Sequence, residues 1–249
     1  MNSIKSVLFA AMLGYKATIH PLKFKEFIIS AMLTPLFTML FYVSVKYVSY
    51  PSAMQKEGLV TVFLIIPAFT CIYYISRSIN DDKYYGTVDI LAISPTGLFM
   101  TKLLVQLFTL LEVVMVSVFW LVTLNYGLLA SAFSFTDVLN LTYILVCASL
   151  SLVFFGLLLA LSFSLLEDGL IVVNLAFTLV VILSTLTFDG EYSKLVTAVL
   201  PLNYFVEIAK GDLSQLPYGE IASISGIKSA VYLLLARVVY QAKRWILAE

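Results

Sequence analysis

Charge is scarce in this chain. Only 12% of its 249 residues are charged, where a soluble domain carries about 25%. The uncharged residues lie in long blocks, 61% of the chain is hydrophobic, and the mean hydropathy is +1.00. This excludes a soluble domain of ordinary composition and points to a multi-span membrane protein. Fifteen basic and fifteen acidic residues cancel, so no overall field draws nucleic acid, and none is expected as a partner. Histidine occurs once, as His20. That removes histidine-rich metal sites and leaves a Ser-His catalytic arrangement without support, so no metal and no catalytic residue is expected. The two cysteines, Cys71 and Cys147, fall inside apolar runs without metal-ligand spacing, and neither a disulfide nor a zinc site can be argued from them. No G-x-x-x-x-G-K-S/T motif occurs, so the chain is not expected to bind ATP through a P-loop.

What is present is a succession of apolar segments. The length allows about six helices of ~20 residues in one transmembrane domain, residues 1–249, and leaves no room for a separate soluble enzyme domain. Residues 4–19 carry Ile4, Val7, Leu8, Ala11, Met12 and Tyr15 at helical spacing. They predict an amphipathic helix in the membrane interface, ended by Pro21. The competing reading is a signal peptide, which has a short apolar region here, Lys16 soon after it and no clear A-x-A site. Membrane spans are predicted at 27–45, 59–75, 98–124, 139–163, 170–186 and 221–240, with kinks at Pro35 and Pro67. Lys228 and Arg237 interrupt the last span and are expected to snorkel toward opposite interfaces. Residues 189–220 form a long connection that predicts short helices at 195–200 and 201–210, the second C-capped by Gly211 and both dipping into the outer membrane face. The expected fold class is therefore all-α and polytopic.

Basic residues set the expected orientation. With the N-terminus inside, Lys5, Lys16, Lys23, Lys25, Arg77, Lys83, Lys102, Lys243 and Arg244 fall inside, against Lys46, Lys56, Lys194, Lys210 and Lys228 outside. The excess favours both termini in the cytoplasm.

The segment between the second and third spans is the most informative. Gly86 can break the preceding helix without a side-chain clash. Thr87 can cap a new helix, and Asp89 lies in the first turn, where the dipole favours an acid. Val88, Ile90, Leu91 and Ile93 supply an apolar face, and Pro95 ends the helix while restricting Ser94. At 1.5 Å per residue the ten residues 86–95 make ~15 Å of helix. From physics alone this is either a peg for a cytosolic partner or an interfacial connecting helix without one.

The same residues, Gly86, Thr87, Asp89, Leu91, Ser94 and Pro95, closely resemble the motif before the third membrane helix of type-2 permeases of ATP-binding-cassette (ABC) exporters. A second run, Leu200-Pro201-Leu202-Asn203-Tyr204-Phe205-Val206-Glu207-Ile208-Ala209-Lys210-Gly211, resembles the family's Leu-Pro-Leu-Thr-Tyr element before the last span, with Glu207 and Lys210 at the family's acidic or polar and basic offsets. Lys102 is similar to a lysine at the start of the family's third span. Two departures stand beside these: Asp81 to Tyr85 replace Glu-Arg-type charges, and Phe188-Asp189-Gly190 lacks the family's Phe-Pro proline.

The resemblance implies the membrane subunit of an exporter working by alternating access. Two permease subunits, identical or related, would bind two separate ATPase subunits, which would hold the ATP and Mg. Gly86, Thr87, Val88, Asp89, Leu91, Ser94 and Pro95 would form the coupling helix. Pro201, Tyr204, Glu207 and Lys210 would form the outer-face motif. The family analogy also implies a prokaryotic plasma membrane. Few charges in the spans favour an apolar or amphiphilic substrate, such as a drug, peptide or lipid, and Phe37, Phe41, Phe69, Glu112 and Phe177 are candidates for its path.

A charge at the bilayer centre costs at least about 2.5–3.5 kcal/mol, so Glu112 should face protein or a wet cavity. It is read either as a substrate or proton site or as a hydrogen-bonded lock between helices. Two rival functions follow: a proton-coupled secondary transporter using Glu112, and a non-transporting membrane scaffold. The first predicts activity without an ATPase and paired broken helices in two related halves. The second predicts indifference to substitution at Glu112.

Overall fold

A computed structural model describes residues 97–127, 133–163, 169–185 and 191–246, together with 9, 12, 29, 33, 36, 37, 40, 41, 44, 59–61, 63 and 64. Every regular element among them is helical. The long helices are α1 (Gly97–Gly127), α2 (Phe135–Phe163) and α3 (Gly169–Thr185); two short ones follow, α4 (Glu191–Val199) and α5 (Asn203–Lys210). A 3-10 turn at Leu213–Gln215 leads into α6 (Tyr218–Ile246). Three segments are long and apolar enough to cross a membrane: Lys102–Gly127, Phe135–Phe163 and Tyr218–Ala242. They correspond to the predicted spans 98–124, 139–163 and 221–240. The predicted span 170–186 is α3, whose 17 residues stand at the lower end of the length that crosses a bilayer, about 17–25 residues. The spans predicted at 27–45 and 59–75 lie largely outside the described residues, as do most of the interfacial helix 4–19 and all of the coupling helix 86–95.

Ser134 starts α2. The Asp137 N–H donates to Ser134 Oγ and the Ser134 N–H to Asp137 Oδ2, both at 3.1 Å. This reciprocal pairing satisfies two of the N–H groups that a helix start leaves without intrahelical partners. Two residues before the end of α1, buried Asn125 donates to the Phe133 carbonyl at 3.0 Å and accepts from the Phe133 N–H at 2.9 Å. One side chain thus closes the α1–α2 loop. Phe133 is fully buried and meets Phe63 edge-on at 6.1 Å between ring centroids.

Among the described residues the most extensive helix packing is the α2–α6 pair. Tyr143 donates to the Tyr218 carbonyl, Ser225 Oγ donates to the Cys147 carbonyl at 2.7 Å, and Phe155 packs edge-on to Tyr232. Contacts that keep a near-constant sequence offset over this length make the two helices parallel. Small buried residues, Cys147, Ala148, Ser151 and Gly156 on α2 and Ser225, Ser229 and Ala236 on α6, line these helices, and small side chains let backbones approach closely. Helix α1 runs the opposite way: Asn125 near its end meets the start of α2, and Phe99 at its start stacks against Tyr240 at 5.6 Å. One end of the bundle therefore holds the α1–α2 loop and the start of α6, and the other holds the start of α1 and the end of α6.

Outward faces are apolar. Leu107, Leu111, Met115, Phe119, Val122 and Tyr126 are exposed along α1, and Leu175, Leu179 and Leu183 along α3. On α6 the exposed stripe is Ile227, Val231, Leu234, Leu235 and Val238, while the buried one is Ile221, Ser225, Lys228, Ser229, Tyr232 and Ala236. Polar groups turned inward and apolar groups turned outward are the arrangement that lipid, rather than water, favours. The described part of the chain is that of a membrane protein.

Candidate functional site

The connection between α3 and α6 folds onto the bundle. From Pro201 to Val206 every residue is buried, and Leu202, Tyr204, Phe205 and Val206 enter the same core as Leu141, Ile144 and Leu145 of α2. The sequence spacing places a helix at 201–210; the observed one starts at Asn203, with Leu202 as an N-cap that makes no side-chain bond. Pro201 therefore precedes the helix instead of opening it. Gly211 is the C-cap, as expected, but its backbone is extended (φ −76°, ψ −163°), and its N–H reaches the Ile208 carbonyl at 3.1 Å. No left-handed residue is needed there. The helix expected at 195–200 begins earlier, at Glu191.

Side chains from α2 and α6 hold this connection. Asn140 donates to the Leu213 carbonyl at 2.7 Å and accepts from the Tyr218 hydroxyl at 2.6 Å. The Asp212 carboxylate accepts from the N–H and hydroxyl of Ser214, and these bonds hold its pKa below the ordinary carboxylate value. The Lys228 ammonium donates to the carbonyls of Thr197 and Leu200, both at 2.6 Å, and the Tyr232 hydroxyl donates to the Val199 carbonyl at 2.7 Å. A helix C-terminus leaves carbonyls without intrahelical partners and carries partial negative charge. A buried lysine is a suitable cap for it. Lys228 thus does not snorkel toward solvent: it is 7% exposed and spends its charge on the end of α4.

Between α4, α5 and α6 lies a cleft of about 510 Å³. Its walls include Lys194 and Thr197 of α4, Tyr204 and Glu207 of α5, and Ile224, Ile227 and Lys228 of α6. Two members of the expected outer-face motif, Tyr204 and Glu207, line it. Pro201 and Lys210 are not among its described lining residues. Glu207 and Lys210, one helical turn apart on α5, form no ion pair. The Tyr204 hydroxyl is buried without a hydrogen-bond partner among the described residues. Burial, and then the nearby Glu220 carboxylate, raise its pKa well above the ordinary phenol value.

The remaining sequence candidates are scattered. Glu112 is half-buried on α1, and Gln106 and Lys102 are buried on the turns before it. Phe37 and Phe41 are exposed one turn apart. Neither they nor Glu112 are among the described residues that line the cleft. Phe69 lies outside the described residues, as does the side chain of Phe177, and Gly86, Thr87, Val88, Asp89, Leu91, Ser94 and Pro95 all lie outside them. Lys194 and Lys228 were not among the sequence candidates. The signal for Lys228 is its phase: Ser225, Lys228, Ser229 and Tyr232 fall at i, i+3, i+4 and i+7, a polar stripe that an apolar span must turn toward protein.

The chain matches no protein-family model, no curated protein and no solved structure.

Proposed function

We propose that the chain is the membrane subunit of an ABC exporter of the type-2 permease kind, driven by a separate ATPase and moving an apolar or amphiphilic substrate outward. The observation that carries the reading is the run Pro201 to Val206. It bears the second sequence resemblance, and it is buried without interruption between α3 and the last span. A solvated loop has no reason to be so. The run of helices from α1 to α6, two long, one of 17 residues, two short and one long, is compatible with the expected second half of such a subunit. The coupling helix 86–95 would face the same side as the start of α1 and the end of α6, and in this reading that side is the cytoplasm. A motor can bias the membrane part only if it binds that helix differently in two states. Two permease chains and two ATPase chains would form the complex, with ATP and Mg on the ATPases.

The test is capture of the tagged chain from its native membrane in mild detergent, with ATP hydrolysis assayed on the eluate. The intact chain should bring down an ATPase. The double variant Asp89→Lys, Leu91→Asp should lose at least about 90% of that activity, as expected for a charge reversal and a buried-charge defect in one small interface, while its membrane insertion and helix content stay unchanged. An intact chain that captures no ATPase overturns the reading. Proton-driven uptake or efflux abolished by Glu112→Gln would then favour the secondary-transporter alternative.

A further inference from the structure

We propose that the cleft between α4, α5 and α6 is a binding site for a zwitterionic glycerophospholipid, one with a phosphate and a primary ammonium in its headgroup. The proposal does not rest on the exporter reading.

The first argument is charge. Lys228 is buried, and an ammonium has three N–H donors. Two go to the Thr197 and Leu200 carbonyls, and no described carboxylate forms an ion pair with it. A buried cation hydrogen-bonded to carbonyls and in no ion pair retains a field that an anion completes. Lys194 adds a second positive charge to the same cleft. Glu207 supplies a negative one on another wall, so a purely anionic headgroup is penalised and a zwitterion is matched: phosphate toward the lysines, ammonium toward Glu207.

The second argument is shape. Ile224 and Ile227 line the cleft. From Ile227 an exposed apolar stripe continues down α6 through Val231, Leu234, Leu235 and Val238, at the i, i+4, i+7 spacing of one helix face. A largely apolar cleft that carries Lys194, Glu207 and Lys228 on its walls and meets such a stripe at Ile227 suits an amphiphile lying along the helix. The third argument is depth. The 29 residues of α6 span ~44 Å at 1.5 Å per residue, close to the ~40–45 Å of a whole bilayer with its headgroups. Ile224 to Lys228 follow the start of α6 by six to ten residues, about 9–15 Å along the axis. With a ~30 Å hydrocarbon core the headgroup layer on each face is ~5–7.5 Å deep, which places these residues on the hydrocarbon side of that boundary, within reach of a lipid whose chains lie along α6.

The experiment is native mass spectrometry of the full chain purified in detergent and incubated with phosphatidylethanolamine, phosphatidylglycerol or glycerophosphoethanolamine. The wild-type chain should retain phosphatidylethanolamine in preference to phosphatidylglycerol. Glu207→Gln should reduce that preference about tenfold, as expected for loss of one charge-assisted contact. Lys194→Gln should weaken retention of both lipids. Both substitutions are at exposed side chains, and unchanged helix content by circular dichroism checks that the variants fold. Equal retention of the two lipids by the wild type overturns the proposal, as does unchanged retention in both variants. Displacement by glycerophosphoethanolamine at the lipid's own concentration would assign the site to the free headgroup and overturn the lipid. A chain that binds the lipid but captures no ATPase keeps this site and loses the exporter reading.

Discussion

Asn125 shows how much one side chain decides in an apolar protein. Its amide satisfies both the N–H and the carbonyl of buried Phe133. Replacing it with alanine leaves two buried backbone groups unpaired, at roughly 1–3 kcal/mol each. Asn125→Ala should therefore lower the melting temperature in detergent, whereas Tyr126→Ala, at an exposed neighbour, should change it little. Lys228 is the second case. Lys228→Met keeps the length of the side chain but orphans the Thr197 and Leu200 carbonyls. Hydrogen exchange should then accelerate at least about tenfold across α4, corresponding to ~1.4 kcal/mol of lost local stability, with the exchange of α2 unaffected. Acceleration spread evenly over α2 and α6 would instead make Lys228 a general packing residue. The sequence displayed Lys228 as an interruption of a span, because a charge in an apolar run is visible and the carbonyls that accept it, about 30 residues upstream, are not.

At the scale of elements, α2 and α6 depend on small residues. Ser225 donates to the Cys147 carbonyl at 2.7 Å and is 2% exposed. A larger side chain there has no space. Ser225→Leu should force the helices apart and destabilise the fold by about 1–3 kcal/mol from overpacking, with the lost hydrogen bond added. Ser223→Leu, at an exposed site two residues away, should be tolerated, and thermal unfolding of both variants measures the difference. The existence of α1 and α2 was legible from their long apolar runs, and that of α6 despite Lys228 and Arg237; their ends differ from the expected ones by at most six residues. The short helices were legible as helices, from the Pro and Gly that bracket them, but not in their first residues. An N-cap without a side-chain bond, such as Leu202, leaves no mark in the sequence.

For the whole molecule, the parallel course of α2 and α6 and the opposed course of α1 fix which ends share a side. Cysteines introduced at Thr136 and Ser214 should react with a membrane-impermeant maleimide from the same side, and one at Ala242 from the opposite side, in a Cys71→Ser, Cys147→Ala background. Labelling of Thr136→Cys and Ser214→Cys from different sides would contradict the described bundle. The expected orientation adds that the shared side of Thr136 and Ser214 is the outside.

Composition alone determined that this is an all-helical membrane chain, because long apolar runs can satisfy their backbone in lipid only by internal hydrogen bonds. Periodicity and the Pro and Gly positions determined where most described helices lie. Tertiary structure decided the rest. It assigned Lys228 and Tyr232 to the end of α4 and gathered Lys194, Glu207 and Lys228 around one cleft. These groups come from three helices whose spacing along the chain carries no record of their meeting. Helical period fixes only the face of its own helix on which a residue sits, and packing chooses the face it meets.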